Sequence, residues 1–201
     1  RADKILSIGL YSDRLQLVLM TGKGEDQPGL EFVPDERRLL RRFVEVVRAE
    51  DPDIFIGWNV VGFDFRVLYQ RAEALQMPLL LGRDKQPLQL HQSGQGKWYA
   101  RLSGRIVLDG IDTMKGATFQ FESFSLEYVS RHFLDRGKLI DHVEQRGDEI
   151  QRLYHEDKPA LARYNLEDCR LVWDIFEKAQ LLHYLVERAR LTGLPLDKVG
   201  G

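Results

Sequence analysis

Apolar residues recur along this chain at two spacings. "ILSIGLY" (Ile5 to Tyr11) and "LQLVLMT" (Leu15 to Thr21) are short runs rich in Leu, Ile and Val. The Ser12-Asp13 pair between them predicts a hairpin. Gly22 to Gly29 reads as a polar loop. The spacing then lengthens: Leu39, Leu40, Phe43, Val44 and Val47 share one face of a helix that Asp35 can cap. That helix is predicted to reach about Glu50 and to stop at Asp51-Pro52. "DIFIGW" follows as a buried strand, "NVVGFD" as a loop, and a second helix from about Phe65 to Gln76, ended by Pro78.

The second half repeats the alternation. Residues 82–97 are polar and contain glycine, which predicts a loop. "KWYARL" and "RIVLDG" flank Ser103-Gly104 and read as a second hairpin. Short helices are expected near 111–117 and 125–134, little periodicity over 135–147, and helices over 148–156 and 158–191, the last of them broken. Gly193 and Pro195 terminate it. Strands come first and then alternate with helices, so the predicted class is α/β with a mixed sheet and flanking helices.

One position breaks the apolar pattern. In "YNLEDCRLVWDIF", at about 100° per residue, Leu161, Tyr164, Leu171, Val172, Ile175 and Ala179 fall within roughly 60° of Asp168. Arg163, Glu167, Arg170, Asp174 and Glu177 lie on the other side. A carboxylate aimed at a core needs a partner, either a buried ion pair or a metal ion. Tyr164, one turn earlier, would place its hydroxyl beside such a metal.

Asp64 is the second candidate. It follows a strand and a turn and opens a helix, so it is either an N-cap or a carboxylate beyond a strand end, where sites form in α/β sheets. Phe63 and Phe65 flank it; each is a core residue or a ring that could stack on a base. Asn59 either ties down the turn or touches a substrate. Asp109 and Asp112 follow a strand and read as helix caps.

Composition excludes more than it suggests. A net charge of −2 gives no whole-domain basic footprint of a nucleic-acid binder. The single cysteine, Cys169, excludes an internal disulfide framework, reads as a packing residue and fits a reducing, cytoplasmic setting. "GQGKW" lacks the spacing of a phosphate-binding loop, no G-x-G-x-x-G occurs, and the five histidines show no ligand spacing. No apolar run of 18 residues predicts a membrane span. The chain opens at Arg1 directly before a strand-like run and ends in "LPLDKVGG", which reads as a piece of a longer polypeptide.

"N-x-x-x-F-D" (Asn59 to Asp64) and "Y-x-x-x-D" (Tyr164 to Asp168), in that order and about 100 residues apart, resemble the second and third exonuclease motifs of family B DNA polymerases. "IGWNVVGFD", "GRIVLDGID", "FESFSLEYV", "EDKPALARYNLEDC" and "GLPLDKVGG" look like bacterial members of that family, so the resemblance covers nearly the whole chain. It implies a ribonuclease-H-like fold of the DEDDy type over residues 1–193, with 194–201 the start of a linker toward a polymerase palm. It implies removal of mismatched nucleotides from a single-stranded DNA 3′ end, with the rest of the polymerase as further partner and no membrane. Asp64 and Asp168 would be two of four carboxylates holding two divalent ions, Mg²⁺ or Mn²⁺, and Tyr164 would orient the attacking water.

The sequence departs from the family at one point. The first motif, D-x-E, is absent ahead of Ile5: Asp3 is followed by Lys4 and Ile5. The first strand of the fold is therefore expected to be missing with two of the four ligands. The fragment itself is expected to be inactive or nearly so, with an unpaired edge beside "ILSIGLY". The alternatives are a free-standing exonuclease of the same type and a non-catalytic domain that binds DNA or braces its polymerase.

Overall fold

The first hairpin forms as its alternation dictates. A computed structural model describes residues 3–136 and 146–198 of the chain. Strands β1 (Ser7–Tyr11) and β2 (Gln16–Thr21) pair antiparallel, Ser7 opposite Met20 and Tyr11 opposite Gln16. Ser12 closes the turn, its Oγ accepting from the amides of Arg14 and Leu15. A short strand that the sequence pattern does not announce, β3 (Leu30–Val33), pairs parallel to β2.

Helix α1 (Glu36–Glu50) has the predicted bounds. Asp35 Oδ1 accepts from the Arg38 amide at 2.9 Å, and Asp51 ends the helix in the left-handed region at φ 46°. Then come β4 (Ile54–Gly57), a π-helical turn over Val60–Asp64, and α2 (Phe65–Ala74). β4 is half-buried along its length, not the fully buried strand expected, and "NVVGFD" is mostly helical turn.

The second hairpin is not formed as predicted. β5 (Gln89–Gln92), inside the expected loop, pairs antiparallel with β6 (Trp98–Arg101), whereas β7 (Ile106–Asp109) pairs parallel with β4. Only the Leu102–Arg105 bridge survives at Ser103-Gly104. Arg105 explains the exchange of partner. Its buried guanidinium donates to the Leu81 and Pro52 carbonyls and pairs with Asp51 at 2.9 Å, and the Ile106 amide donates to Asp53 O. These contacts pull the start of β7 to the start of β4.

The remaining helices follow the pattern: α3 (Gly110–Gly116), α4 (Leu126–Leu134) capped by Ser125, α5 (Arg146–Glu156), α6 (Lys158–Lys178) and α7 (Leu181–Thr192). The expected break falls at Gln180, in the left-handed region at φ 51°. Most of the weakly periodic 135–147 stretch lies outside the described residues.

The strands thus form a three-stranded sheet ordered β1-β2-β3 and a two-stranded sheet, β4-β7, with β5-β6 as a separate ribbon. Alternate side chains assign the two sheets to common layers. Leu19, Val33, Phe55 and Val107 pack with α1 and α2 in one cluster. Val18, Met20 and Leu30 meet Leu161 and Tyr164 of α6, and Ile54, Ile56, Ile106 and Leu108 meet Leu171, Val172 and Ile175 of the same helix. Helix α6 therefore lies across both sheets and contacts β1, β2 and β4. Among the described residues, β1 pairs with β2 alone and β4 with β7 alone, so each has an open edge, and α6 contacts both strands. No helix among the described residues is long and apolar enough to cross a membrane.

Candidate functional site

The turn after β4 is closed so tightly that its sequence has little freedom. Asn59 takes the left-handed conformation, φ 56° and ψ 30°, and starts the π-helical turn. A Cβ on Gly57 would meet Val60 Cβ at 2.5 Å, and one on Gly62 would meet Asn59 Oδ1 at 2.5 Å. The Asn59 side chain thus folds over its own turn, which favours its tying role over a substrate contact.

Asp64 closes that turn with helical dihedrals, φ −60° and ψ −55°, and its side chain makes no capping hydrogen bond to α2. The capping reading therefore fails, and the carboxylate is exposed. Phe63 beside it is 60% exposed. Phe65 is 3% exposed and packs edge-to-face on Phe55 at 5.9 Å, so its ring belongs to the core and is not presented for base stacking.

Asp109, at the end of β7, lies beneath the same turn. Its Oδ1 accepts from the Ile111 amide at 3.0 Å, which caps α3, and from the Asn59 amide at 3.3 Å; its Oδ2 accepts from the Val61 amide at 3.4 Å. Burial, and then the nearby charge of Asp112, push the Asp109 carboxyl above the usual carboxylate range against the pull of the three amides. Asp112 is itself paired with Lys97, just ahead of β6, at 3.1 Å. Trp58 anchors a third segment: its Nε1 donates to Phe124 O at 2.8 Å, just ahead of α4.

The other candidates stand on α6, which Asp157 caps through the Ala160 amide. Tyr164 is 4% exposed, and Asp168, one turn on, is half-buried with its Oδ1 sealed from solvent. The helix reaches β1 closely because Gly9 has no side chain: a Cβ there would lie 3.0 Å from Cys169 Sγ and 3.3 Å from Asn165 O. Asn165 Nδ2 donates to Ser7 Oγ, which fixes the helix along β1. Cys169 is accordingly a packing residue at the closest approach.

Tyr164 and Asp168 stand one turn apart on α6, which contacts β1, β2 and β4, and Asp64 closes the turn between β4 and α2. No group of three or more His, Cys, Asp or Glu among the described residues is arranged to hold a metal ion. Hard carboxylate oxygens at Asp64 and Asp168 are suitable in kind for Mg²⁺ or Mn²⁺ but incomplete in number. Sequence reasoning missed the second task of Asp109, because capping α3 already accounted for an Asp after a strand.

Comparison with known proteins identifies the family. The family profile "DNA polymerase family B, exonuclease domain" matches residues 7–129, a span that holds Asp64 and Asp109. DNA polymerase II of Escherichia coli (strain K12) is 42% identical over 208 residues, covering 100% of this chain and 27% of that protein. A DNA polymerase of Thermococcus aggregans is 32% identical over 169 residues, 82% of this chain and 9% of its own length. DNA polymerase 1 of Pyrococcus abyssi is 29% identical over 188 residues, 92% of this chain and 23% of its own length. The chain therefore spans about a quarter or less of each of these relatives. With more than half of its residues matched by the family profile, and with the strand–turn–helix and the sheet-spanning helix that carry the two motifs, the chain belongs to the exonuclease domain family of the family B DNA polymerases.

Proposed function

We propose that this chain is the 3′–5′ proofreading exonuclease domain of a DNA-directed DNA polymerase, with a ribonuclease-H-like fold. The observation that carries the proposal is Asp168. It stands on a helix that packs on both β1 and β4, one turn from the buried Tyr164, and one of its carboxylate oxygens is sealed from solvent. The open edges of β1 and β4 support the fold reading: a strand inserted between them would join the two sheets into one and present a D-x-E pair beneath α6.

The substrate is a single-stranded DNA 3′ end. Asp64 and Asp168, with the D-x-E pair, would hold two divalent ions, Mg²⁺ or Mn²⁺. Bound there, the ions supply an activated water and a stabilised 3′ leaving oxygen for in-line displacement at phosphorus. The water oxygen bonds to phosphorus, the bond to the 3′ oxygen breaks, that oxygen takes up a proton, and a nucleoside 5′-monophosphate leaves. The Tyr164 hydroxyl fixes the direction of the water. The exposed Phe63 ring offers a stacking face to the terminal bases. With only Asp64 and Asp168, the 201 residues bind the ion pair weakly and hydrolyse little.

The test is calorimetric titration with Mn²⁺, beside digestion of 3′-labelled single-stranded DNA. It uses the 201-residue chain and a version lengthened at its N-terminus by a strand bearing D-x-E. The lengthened version should take up two ions and trim DNA at least about 100-fold faster. Strong Mg²⁺-dependent digestion by the 201 residues would refute their proposed inactivity. Failure of both versions to bind metal would refute the site and leave a DNA-binding or bracing domain.

A further inference from the structure

The Asp64-bearing turn is held from below by a carboxylate that belongs to neither motif. Asp109 could be explained as an ordinary cap of α3, and its Ile111 contact at 3.0 Å is that of a cap. A cap, however, uses one oxygen on its own helix. Asp109 also reaches 48 and 50 residues back along the chain, to the amides of Val61 and Asn59, and its second oxygen, Oδ2, accepts from Val61. These two amides belong to the start of the π-helical turn, where Asn59 is left-handed. Within the turn, the Phe63 amide donates to Asn59 O, and the Phe65 amide to Val60 O. The turn therefore has a firm inner ladder, and Asp109 ties its start to the end of β7.

The sheet supplies the lever. Gly57 and Asp109 are paired neighbours at the ends of parallel strands, so both ends of the attachment rest on one rigid pair. Gly110, next in sequence, lies against the Trp58 ring, where a Cβ would come within 2.6 Å. No side chain fits between the β7 end and the turn.

We infer that Asp109 is a positioning residue of the exonuclease site, setting the orientation of the Asn59–Asp64 turn and through it the Asp64 carboxylate. This rests on the proposed function only for the word exonuclease; the attachment itself is independent of it. Asp109→Asn separates the two tasks. Asn is as good a helix cap as Asp, so α3 keeps its start. One oxygen becomes an NH₂ group, which cannot accept from an amide; with the remaining oxygen kept on Ile111 as the cap, Val61 loses its acceptor.

Asp109→Asn, Asp109→Ser and the neighbouring control Asp112→Asn are made in the 201-residue chain and in the version carrying the D-x-E strand. Residue-resolved amide exchange by NMR is the first readout. Asp109→Asn should raise exchange at Asn59, Val61, Phe63 and Phe65 by about tenfold or more, with α1 and α6 unchanged and Asp112→Asn like the parent. In the D-x-E version, kcat on single-stranded DNA should fall about 10–100-fold with KM little changed. Unchanged exchange across the turn, or exchange raised evenly through the molecule, overturns the inference. So does a chain that folds with neither Asn nor Ser at this position, since the carboxylate then serves the fold at large. If the D-x-E version of the parent sequence trims no DNA, the proposed function fails while the exchange data still decide the role of Asp109.

Discussion

Glu36 carries a distinct pH signature. It is buried, which pulls its carboxyl up, yet Arg71 clasps both its oxygens, the Ile5 amide donates at 2.8 Å and Lys4 adds its charge. The outcome is a carboxyl held below its ordinary value near 4.5. The folded state therefore favours the ionised form, and this stabilisation is complete above the unfolded value and lost as pH falls through the folded one. Glu36→Ala should cost on the order of 2 kcal/mol at neutral pH, because the part-buried Arg71 loses the carboxylate that clasps it. Urea unfolding at a series of pH values should show the difference from the parent shrinking below about pH 4.5; a constant difference would mean that packing, not charge, is the source. Other residues differed in how plainly the sequence revealed them. Asp168 was legible because an apolar helix face makes one carboxylate conspicuous. Asp64 needed a motif as well, since an Asp opening a helix is ordinary. The fates of Phe63 and Phe65 were undecidable from two adjacent rings, because a π-helical turn decides which of them turns inward.

Helix boundaries were largely readable, because caps and apolar spacing act within a few residues. Asp35, Ser125 and Gly193 stand where local chemistry requires, whereas a break in the last helix was expected but its place at Gln180 was not. Strand partners were not readable. "RIVLDG" has the composition of a hairpin arm, but its partner was selected by Arg105, whose contacts at Asp51, Pro52 and Leu81 lie far away in sequence. Gly9 marks another long-range constraint. The Cβ of Gly9→Ala would press on the Asn165 carbonyl, which as helix backbone cannot turn aside. Denaturation should show a loss of about 1–3 kcal/mol, and an unchanged midpoint would mean that α6 rides higher on β1. The open side of β1 presents the backbone groups of Ser7, Gly9 and Tyr11, since Leu6 and Ser12 bond toward β2 and the pairing alternates. The 201-residue chain should associate through this edge at high concentration. Sedimentation should detect concentration-dependent dimers that the D-x-E strand abolishes; a monomer throughout would show that the edge is otherwise protected.

For the molecule as a whole, the α/β class followed from the alternation of strand and helix patterns, and the mixed pairing followed with it. The division into separate sheets did not, because the pattern of a strand records which faces it buries and not which edges it shares. Helix α6 compensates for the division. It is a single 21-residue rod in contact with both sheets, and it carries Tyr164 and Asp168 at its middle. The left-handed Gln180 then ends the rod, and α7 sets off in a new direction. In mechanical terms Gln180 is a braced elbow. Leu181 and Leu185 of α7 are buried in the same cluster as Leu171, Val172 and Ile175 of α6, so the corner is locked by packing and a push at the exposed far end of α7 is absorbed there.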